Sequence, residues 1–316
     1  MGSFGELMVG GDNAELREAI YFAAEICGGF RSERVILRQE EAVRRGLTAE
    51  VYRAVSRILT ACVLAEHTDG VCVIDGDGLE RCAEILRSIV SSLESEACAQ
   101  MYGKAAGETR FFFDRLGDIE YEVYSRVNYS VSYEMGVHAA QYLDLTGQRV
   151  LELGGNSGGM GAALVSRYAG CDYTVVDTHI PCSVGRELAE DSGVIINFAE
   201  GDVFDLRLPG GEYGYIVMAN LLHDFDDDKC GRILRQLSPY CGENTRIVVI
   251  EDVLLSDTEP HETVMHGLRL AVECRGGGQR TFAALEVLFG GIGFAREGAA
   301  RIGEVHSMAI YKKLSE

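Results

Sequence analysis

The run Tyr215-Ile216-Val217-Met218-Ala219-Asn220-Leu221-Leu222-His223-Asp224 sets an imidazole just beyond an apolar, strand-like stretch. Imidazole titrates near neutral pH, so a histidine facing a crevice there can take the proton of a phenol or similar hydroxyl. Two carboxylates stand in comparable places. Asp177 closes the apolar run Tyr173-Thr174-Val175-Val176, and Asp202 follows a further run in Gly201-Asp202-Val203-Phe204-Asp205. Ahead of both, Arg149-Val150-Leu151-Glu152-Leu153 runs into Gly154-Gly155-Asn156-Ser157-Gly158. Glycine there leaves no Cβ between the backbone and a ligand and allows φ > 0. Asp177 lies about 20 residues beyond this turn, the spacing at which nucleotide-binding α/β units hold ribose hydroxyls. The glycine turn alone is shared with dinucleotide-binding folds.

Such residues need a sheet to bring them together. Buried parallel strands read as apolar runs, and the pattern predicts them near 149–153, 173–177, 195–198, 214–219 and 246–251, alternating with helices. A late antiparallel pair is expected from 298–302 with 305–311. In open α/β sheets small molecules bind outside the carboxyl ends of the strands, where Glu152, Asp177 and His223 fall. The fold class is therefore α/β, a Rossmann-like sheet. Residues 13–98 read mostly as helix, with Thr48 capping a helix whose apolar face holds Val51, Val55, Ile58 and Leu59. His67–Gly76 reads as a short strand pair broken by Asp-Gly turns. Further helices are expected over 79–145, with 108–114 and 129–138 standing out for their aromatics. The expected division is a helical domain over 1–100, a helical pocket-lining linker over 101–145, and a cofactor-binding domain over 146–316.

Taken in order, these motifs resemble the class I S-adenosylmethionine-dependent small-molecule O-methyltransferases that carry an N-terminal winged-helix dimerisation domain. Glu152 to Gly158 is similar to the family's acidic glycine-rich turn, and Gly201-Asp202-Val203-Phe204 to its Gly-Asp-x-Phe. Leu222-His223-Asp224-Phe225-Asp226-Asp227 is similar to its Leu-His-Asp-Trp-x-Asp. Arg246 to Glu251 and Gly276-Gly277-Gly278-Gln279-Arg280-Thr281 match two later motifs. The resemblance covers about residues 108–313.

The resemblance implies S-adenosyl-L-methionine as cofactor, a small, largely apolar hydroxylated acceptor, and a homodimer formed through the N-terminal domain. It assigns Asp177 to the ribose hydroxyls, Asp202 to the adenine amine and Phe204 to the adenine ring. Gly154, Gly158, Val203 and Asn220 complete the cofactor set, and Glu152 serves the turn amides or the cofactor's ammonium. His223 becomes the general base, with Glu251 and Gln279 at the two positions that back it. The family has a glutamate where Gln279 stands; glutamine can orient an imidazole but cannot stabilise its cation by charge. A family lysine near Ala219 is also missing, whereas Asn156 in the glycine turn is mild because asparagine tolerates φ > 0. Met135, His138, Met265 and His266 are the expected acceptor contacts, with His261 nearby. Asp224 is expected to cap or orient the next helix, and Asp226 to Asp228 to form its solvated first turn rather than a metal site.

Composition narrows the alternatives. The net charge of −20 over 316 residues opposes nucleic acid, which needs a basic field, and an anionic membrane surface. The literal reading of helix, helix, hairpin as a DNA-binding winged helix is disfavoured on that ground. No apolar run approaches the roughly 18 residues of a membrane span. The N-terminus lacks the basic-then-apolar pattern of a secretion signal, and Glu6 occupies the Ser/Thr position of a myristoylation signal, so a cytoplasmic location is expected by default. The ten cysteines form no Cys-x-x-Cys and read as buried reduced thiols. Two rival functions remain: methyl transfer to carbon or nitrogen, which needs little base assistance, and cofactor binding without turnover.

Overall fold

The apolar runs ending at Leu153, Asp177, Ala219 and Glu251 become neighbouring strands of one sheet. In the computed structural model the described residues are 14–30, 32–68, 71–92, 94–107, 111–208, 211–259, 261–274 (without the side chain of His261) and 276–314. The Asp69-Gly70 turn and the start of the expected 108–114 helix lie outside them. The elements in order are α1 (Ala14–Cys27), β1 (Arg34–Leu37), α2 (Gln39–Arg44), α3 (Ala49–Ala61), β2 (Glu66–Thr68), β3 (Val71–Asp75), α4 (Gly76–Val90), α5 (Glu94–Ala106) and α6 (Asp118–Ala139). There follow β4 (Arg149–Leu153), α7 (Gly159–Arg167), β5 (Asp172–Asp177), α8 (His179–Ser192), β6 (Asn197–Glu200), β7 (Tyr213–Ala219) and α9 (Asp227–Arg235). The last are β8 (Cys241–Glu251), α10 (His261–Glu273), α11 (Phe282–Gly290), β9 (Phe294–Ile302) and β10 (His306–Lys313).

Contacts gather these elements into two units. One runs to Phe112 and takes in Leu254–Thr281; the other comprises Phe113–Val253 and Phe282 onward. This differs from a cofactor domain spanning 146–316. The reason is the apolar face of α10: Val264, Met265, Leu268, Ala271 and Val272 share a core with Ile20, Val55, Ile58 and Leu59 of α1 and α3. Burial of each of the larger side chains stabilises by about 1.5–3 kcal/mol, so the helix goes where that core is. Thr48 caps α3 as its sequence predicts, its side chain accepting from Val51 N at 3.2 Å. The sheet of this unit, ordered β1-β3-β2, is antiparallel throughout. The pattern does not announce β1, a four-residue strand between two helices.

The second unit holds the seven-stranded sheet β6-β5-β4-β7-β8-β10-β9. Its first five strands are parallel, with Leu151 opposite both Thr174 and Ile216. β10 runs antiparallel between β8 and β9, which is the expected late reversal. Strand order turns at β4, so the crevice rule points to the turn after Leu153. Val150, Val175, Val217, Val248 and Ile250 are fully buried at the centre of its core. Glycines bring α6 against α7: a Cβ on Gly159 would overlap the Tyr129 carbonyl, and one on Gly136 would lie 2.8 Å from Met160 O. Among the described residues, no helix is long and apolar enough to cross a membrane.

Candidate active site at the strand tips

The turn after β4 is held in a shape that glycine and asparagine supply. Gly154 (φ +65°), Asn156 (φ +51°) and Gly158 (φ +78°) are left-handed, a region that asparagine visits more readily than most side chains. Space is as restrictive as conformation. A Cβ on Gly154 would stand 2.7 Å from Leu221 Cδ1, one on Gly155 2.6 Å from the Glu152 carboxyl carbon, and one on Gly158 2.9 Å from the Phe198 ring. The turn is thus closed beneath by its own strand and beside by the start of the His223 segment. Ser157 ties it to α6 by donating to Ser125 O at 2.7 Å.

Asp177 bridges the tips of β4 and β5. Its Oδ2 accepts from Asn156 N at 2.8 Å, and its Oδ1 from Thr178 N at 2.7 Å. Burial raises its pKa, and the hydrogen bonds from Thr178 and Asn156 oppose that rise. Oδ1 also accepts from Thr178 Oγ1 at 3.3 Å, so it is Oδ2 that keeps lone-pair capacity for a further donor. Asp202 lies next along: Gly201 N donates to Asp177 O at 2.9 Å, and Asp202 Oδ1 accepts from Phe204 N at 2.8 Å. Asp202 itself is exposed. Phe204 packs edge-on against Phe225 with centroids 5.0 Å apart, which joins this loop to the segment after His223. Val203 contributes a carbonyl that accepts from Gln236 Nε2 at 3.0 Å.

Glu152 is wholly inside. Tyr173 on β5 lies beside its carboxyl, and burial pushes the pKa of that carboxyl up to about 8; the Tyr173 hydroxyl opposes the rise and the Asp177 charge adds to it. The folded chain therefore keeps this proton up to about pH 8, while an unfolded glutamate releases it near 4.5. Stability from this group is full below the lower value and is lost as pH rises through the upper one. Glu152→Gln should flatten the fall of thermal midpoint with pH across that window, an effect on the order of a few kcal/mol. Parallel pH–melting curves for the two proteins check it.

His223 lies in the short helical turn Leu222–Asp224. Its Nδ1 is 2.6 Å from Glu251 Oε2 at the end of β8. Glu251 Oε1 accepts from the amides of Leu222 at 2.8 Å and Leu221 at 3.2 Å, with His223 N at 3.4 Å. One carboxylate therefore holds both the imidazole and the backbone that carries it. The 2.6 Å pair is a close charge contact rather than an aligned hydrogen bond; with Nδ1 on the Glu251 side, Nε2 is the nitrogen left to accept a proton. Asp224 Oδ1 stands 3.7 Å from Nε2, a charge neighbour rather than a hydrogen-bond partner. The helix cap expected of Asp224 is made by Asp226, whose Oδ1 accepts from Lys229 N at 2.8 Å.

The structure thus gathers Glu152, Gly154, Gly158, Asp177, Asp202, Val203, Phe204, Asn220, His223 and Glu251 at the tips of adjacent strands. Met135 instead belongs to the buried core with Met160 and Met308. His138 lies half-buried beside Gly303 in the β9–β10 turn. Met265, His266 and Gln279 are carried by the first unit. Met265 is in its core, His266 is exposed on α10, and the Gln279 Oε1 is buried without a hydrogen-bond partner among the described residues. Sequence reasoning misses Tyr121, whose hydroxyl reaches Thr178 Oγ1 at 3.2 Å, and His306, whose Nε2 lies 3.1 Å from Asn220 Nδ2. A histidine opening the last strand is a visible signal for His306 only once that strand's antiparallel register is known. Among the described residues, no cluster of metal-ligating side chains is present.

Comparison with known proteins agrees with this geometry. The O-methyltransferase domain family matches residues 84–295, more than half of the chain. Bovine acetylserotonin O-methyltransferase is 32% identical over 166 residues, covering 52% of this chain and 47% of that protein. The mitomycin biosynthesis 6-O-methyltransferase of Streptomyces lavendulae is 30% identical over 171 residues, covering 52% and 48%. The chain thus spans about half the length of the curated relatives it matches. An O-methyltransferase family 2 protein of Planctomyces limnophilus, solved with apigenin, superposes with a TM-score of 0.79 at 18% identity, over 98% of this chain and 95% of that one. Human N-acetylserotonin methyltransferase, solved with S-adenosylmethionine, gives 0.61 at 20% identity over the full length of both. With the glycine turn, the strand-tip acids and the carboxylate-backed histidine in place, the chain belongs to the O-methyltransferase domain family.

Proposed function

We propose that this protein is an S-adenosylmethionine-dependent methyltransferase that acts on a hydroxyl of a small, largely apolar molecule, with His223 as general base. The observation that carries the reading is the 2.6 Å pair of His223 Nδ1 and Glu251 beside the glycine turn. When bound, S-adenosylmethionine supplies an electrophilic methyl on a sulfonium. The residues present suit such a group: the glycine turn is held left-handed and tight against its own strand, Asp177 keeps capacity for a hydroxyl donor, and the Phe204 ring packs on Phe225 beside His223. Glu152, buried beneath Gly155, is the acid that a cationic ligand would draw toward ionisation.

The chain's own part is proton management. His223 Nε2 takes the acceptor's hydroxyl proton, and Nδ1 stays on the side of Glu251, whose charge stabilises the imidazolium. Such help supplies about 10²- to 10⁴-fold in rate. By the resemblance Gln279 would orient the imidazole and His138 and His266 would contact the acceptor, whereas Met135 and Met265 sit in the cores described above; the N-terminal domain carries homodimerisation. The relatives and neighbours named above make planar or ring-bearing hydroxylated acceptors the first to try.

Incubation with methyl-labelled S-adenosylmethionine and a panel of phenols that includes apigenin tests the reading. Label released from the product by ether cleavage is the expected result; label that resists cleavage would reassign the reaction to carbon or nitrogen. That second reading draws on Gln279, which removes one of the two carboxylates the family keeps near its base. Binding of cofactor with no transfer to any acceptor would leave a sensor protein.

A further inference from the structure

The turn that carries His223 begins at Asn220, a non-glycine residue held left-handed at φ +49°. Such a backbone persists only where its surroundings enforce it. Its amide donates to Ile250 O at 2.8 Å. Its side-chain Nδ2 lies 3.1 Å from Nε2 of His306, the half-buried first residue of β10. Ser307, the next residue, pairs with Glu251 across the β8–β10 ladder. The turn is therefore gripped at its far end by Glu251, through the amides of Leu221, Leu222 and His223, and at its near end by His306. This second histidine is no part of the motifs that announce the site.

We propose that His306 is a positioning residue which, by accepting a hydrogen bond from Asn220, holds the turn that aims His223. The proposal rests on the reading of His223 as the base. With Asn220 Nδ2 facing the ring, that group has only protons to offer, which calls for a bare His306 Nε2 and the proton on Nδ1. The surroundings favour that neutral form. Burial lowers the pKa of His306; Asp252 and Glu251 at the end of β8 pull it back up, while His223 on its turn and Arg301 on β9 push it down further. When His223 takes up a proton, its new charge drives His306 further from protonation, so the anchor holds at the moment of transfer. Below the pKa of His306, Nε2–H would face Nδ2–H, donor against donor, until the Asn220 amide turned its Oδ1 toward the ring.

The test uses the full chain labelled with ¹⁵N-histidine. Long-range ¹H–¹⁵N correlation spectra report the tautomer of each imidazole and the titration midpoint of His223. S-adenosylhomocysteine calorimetry is run alongside. Wild-type His306 is expected as the Nδ1–H tautomer at neutral pH. His306→Leu keeps bulk but cannot accept; it should slacken the His223–Glu251 contact and lower the His223 midpoint by about half a pH unit or more. His306→Gln, whose side-chain carbonyl can still accept from Asn220, should restore it. Affinity for S-adenosylhomocysteine should stay within a few-fold in all three proteins, since the glycine turn and Asp177 are untouched. A wild-type His306 protonated on Nε2, or a Leu variant with an unmoved His223 midpoint, overturns the proposal, and the tautomer result needs no variant to fold. A wild-type protein that takes up no S-adenosylhomocysteine would instead strike at the methyltransferase reading itself.

Discussion

His223→Ala should lower kcat by about 10²- to 10⁴-fold, the usual scale of general-base assistance, while affinity for S-adenosylhomocysteine stays near that of the wild type. The expectation follows from a division of labour visible in the contacts. The glycine turn and Asp177 are built on β4 and β5, with Asn156 N to Asp177 Oδ2 at 2.8 Å as their link. The imidazole is built on the tips of β7 and β8, with Glu251 gripping both ring and backbone. Removing the ring takes away the proton acceptor and leaves the Leu221–Gly154 packing that shapes the turn. Steady-state kinetics on the acceptor found in the phenol panel, set beside calorimetry, measures both quantities. Unaltered turnover would take His223 out of the mechanism and turn attention to transfer at carbon or nitrogen.

For Asp177→Asn the effect should fall on binding. Its two oxygens each accept one backbone amide, from Asn156 and Thr178; on the proposed reading Oδ2 also accepts a ribose hydroxyl, and a second one takes the place of the Thr178 hydroxyl on Oδ1. Hydrogen bonds to a charged group are worth about 1.5–3 kcal/mol each. Asparagine keeps one acceptor oxygen, so losing one such bond corresponds to roughly 10- to 10²-fold in dissociation constant. The amide variant keeps the size of the side chain but turns an –NH2 toward one of the two backbone donors, so the carboxyl-bridged tips of β4 and β5 should also part slightly. Titration calorimetry with S-adenosylhomocysteine reads the loss. An affinity within a few-fold of wild type would remove Asp177 from the cofactor site.

Much of the strand-tip site was legible because parallel strands buried on both faces must read as unbroken apolar runs. Such a run stops where the chain leaves the sheet, and that is where Asp177, Asn220 and Glu251 stand, with Glu152 one residue short of the end of β4. The glycine turn was legible for a related reason, since φ values of +65° and +78° at Gly154 and Gly158 and the lack of room for a Cβ leave few other residues usable. Roles that depend on where a side chain points were less accessible. Met135 shares helical spacing with aromatic neighbours, and periodicity alone could not tell a pocket wall from the core in which it is buried. The cap expected of Asp224 falls two residues later because the short helical turn at Leu222–Asp224 delays the start of α9.

By itself the chain's order of residues determined the α/β class, the parallel strands, their late reversal, and which acids and which histidine end them, because burial and turn chemistry act over a few residues. Tertiary structure alone decided that α10 joins the first unit, since its apolar face is satisfied by α1 and α3, remote in sequence. It alone set Tyr173 on Glu152, and His306 on Asn220, because both pairs depend on which strands lie side by side and in what register. Local propensity carries no record of such registers; they emerge only when the whole sheet is assembled over one core.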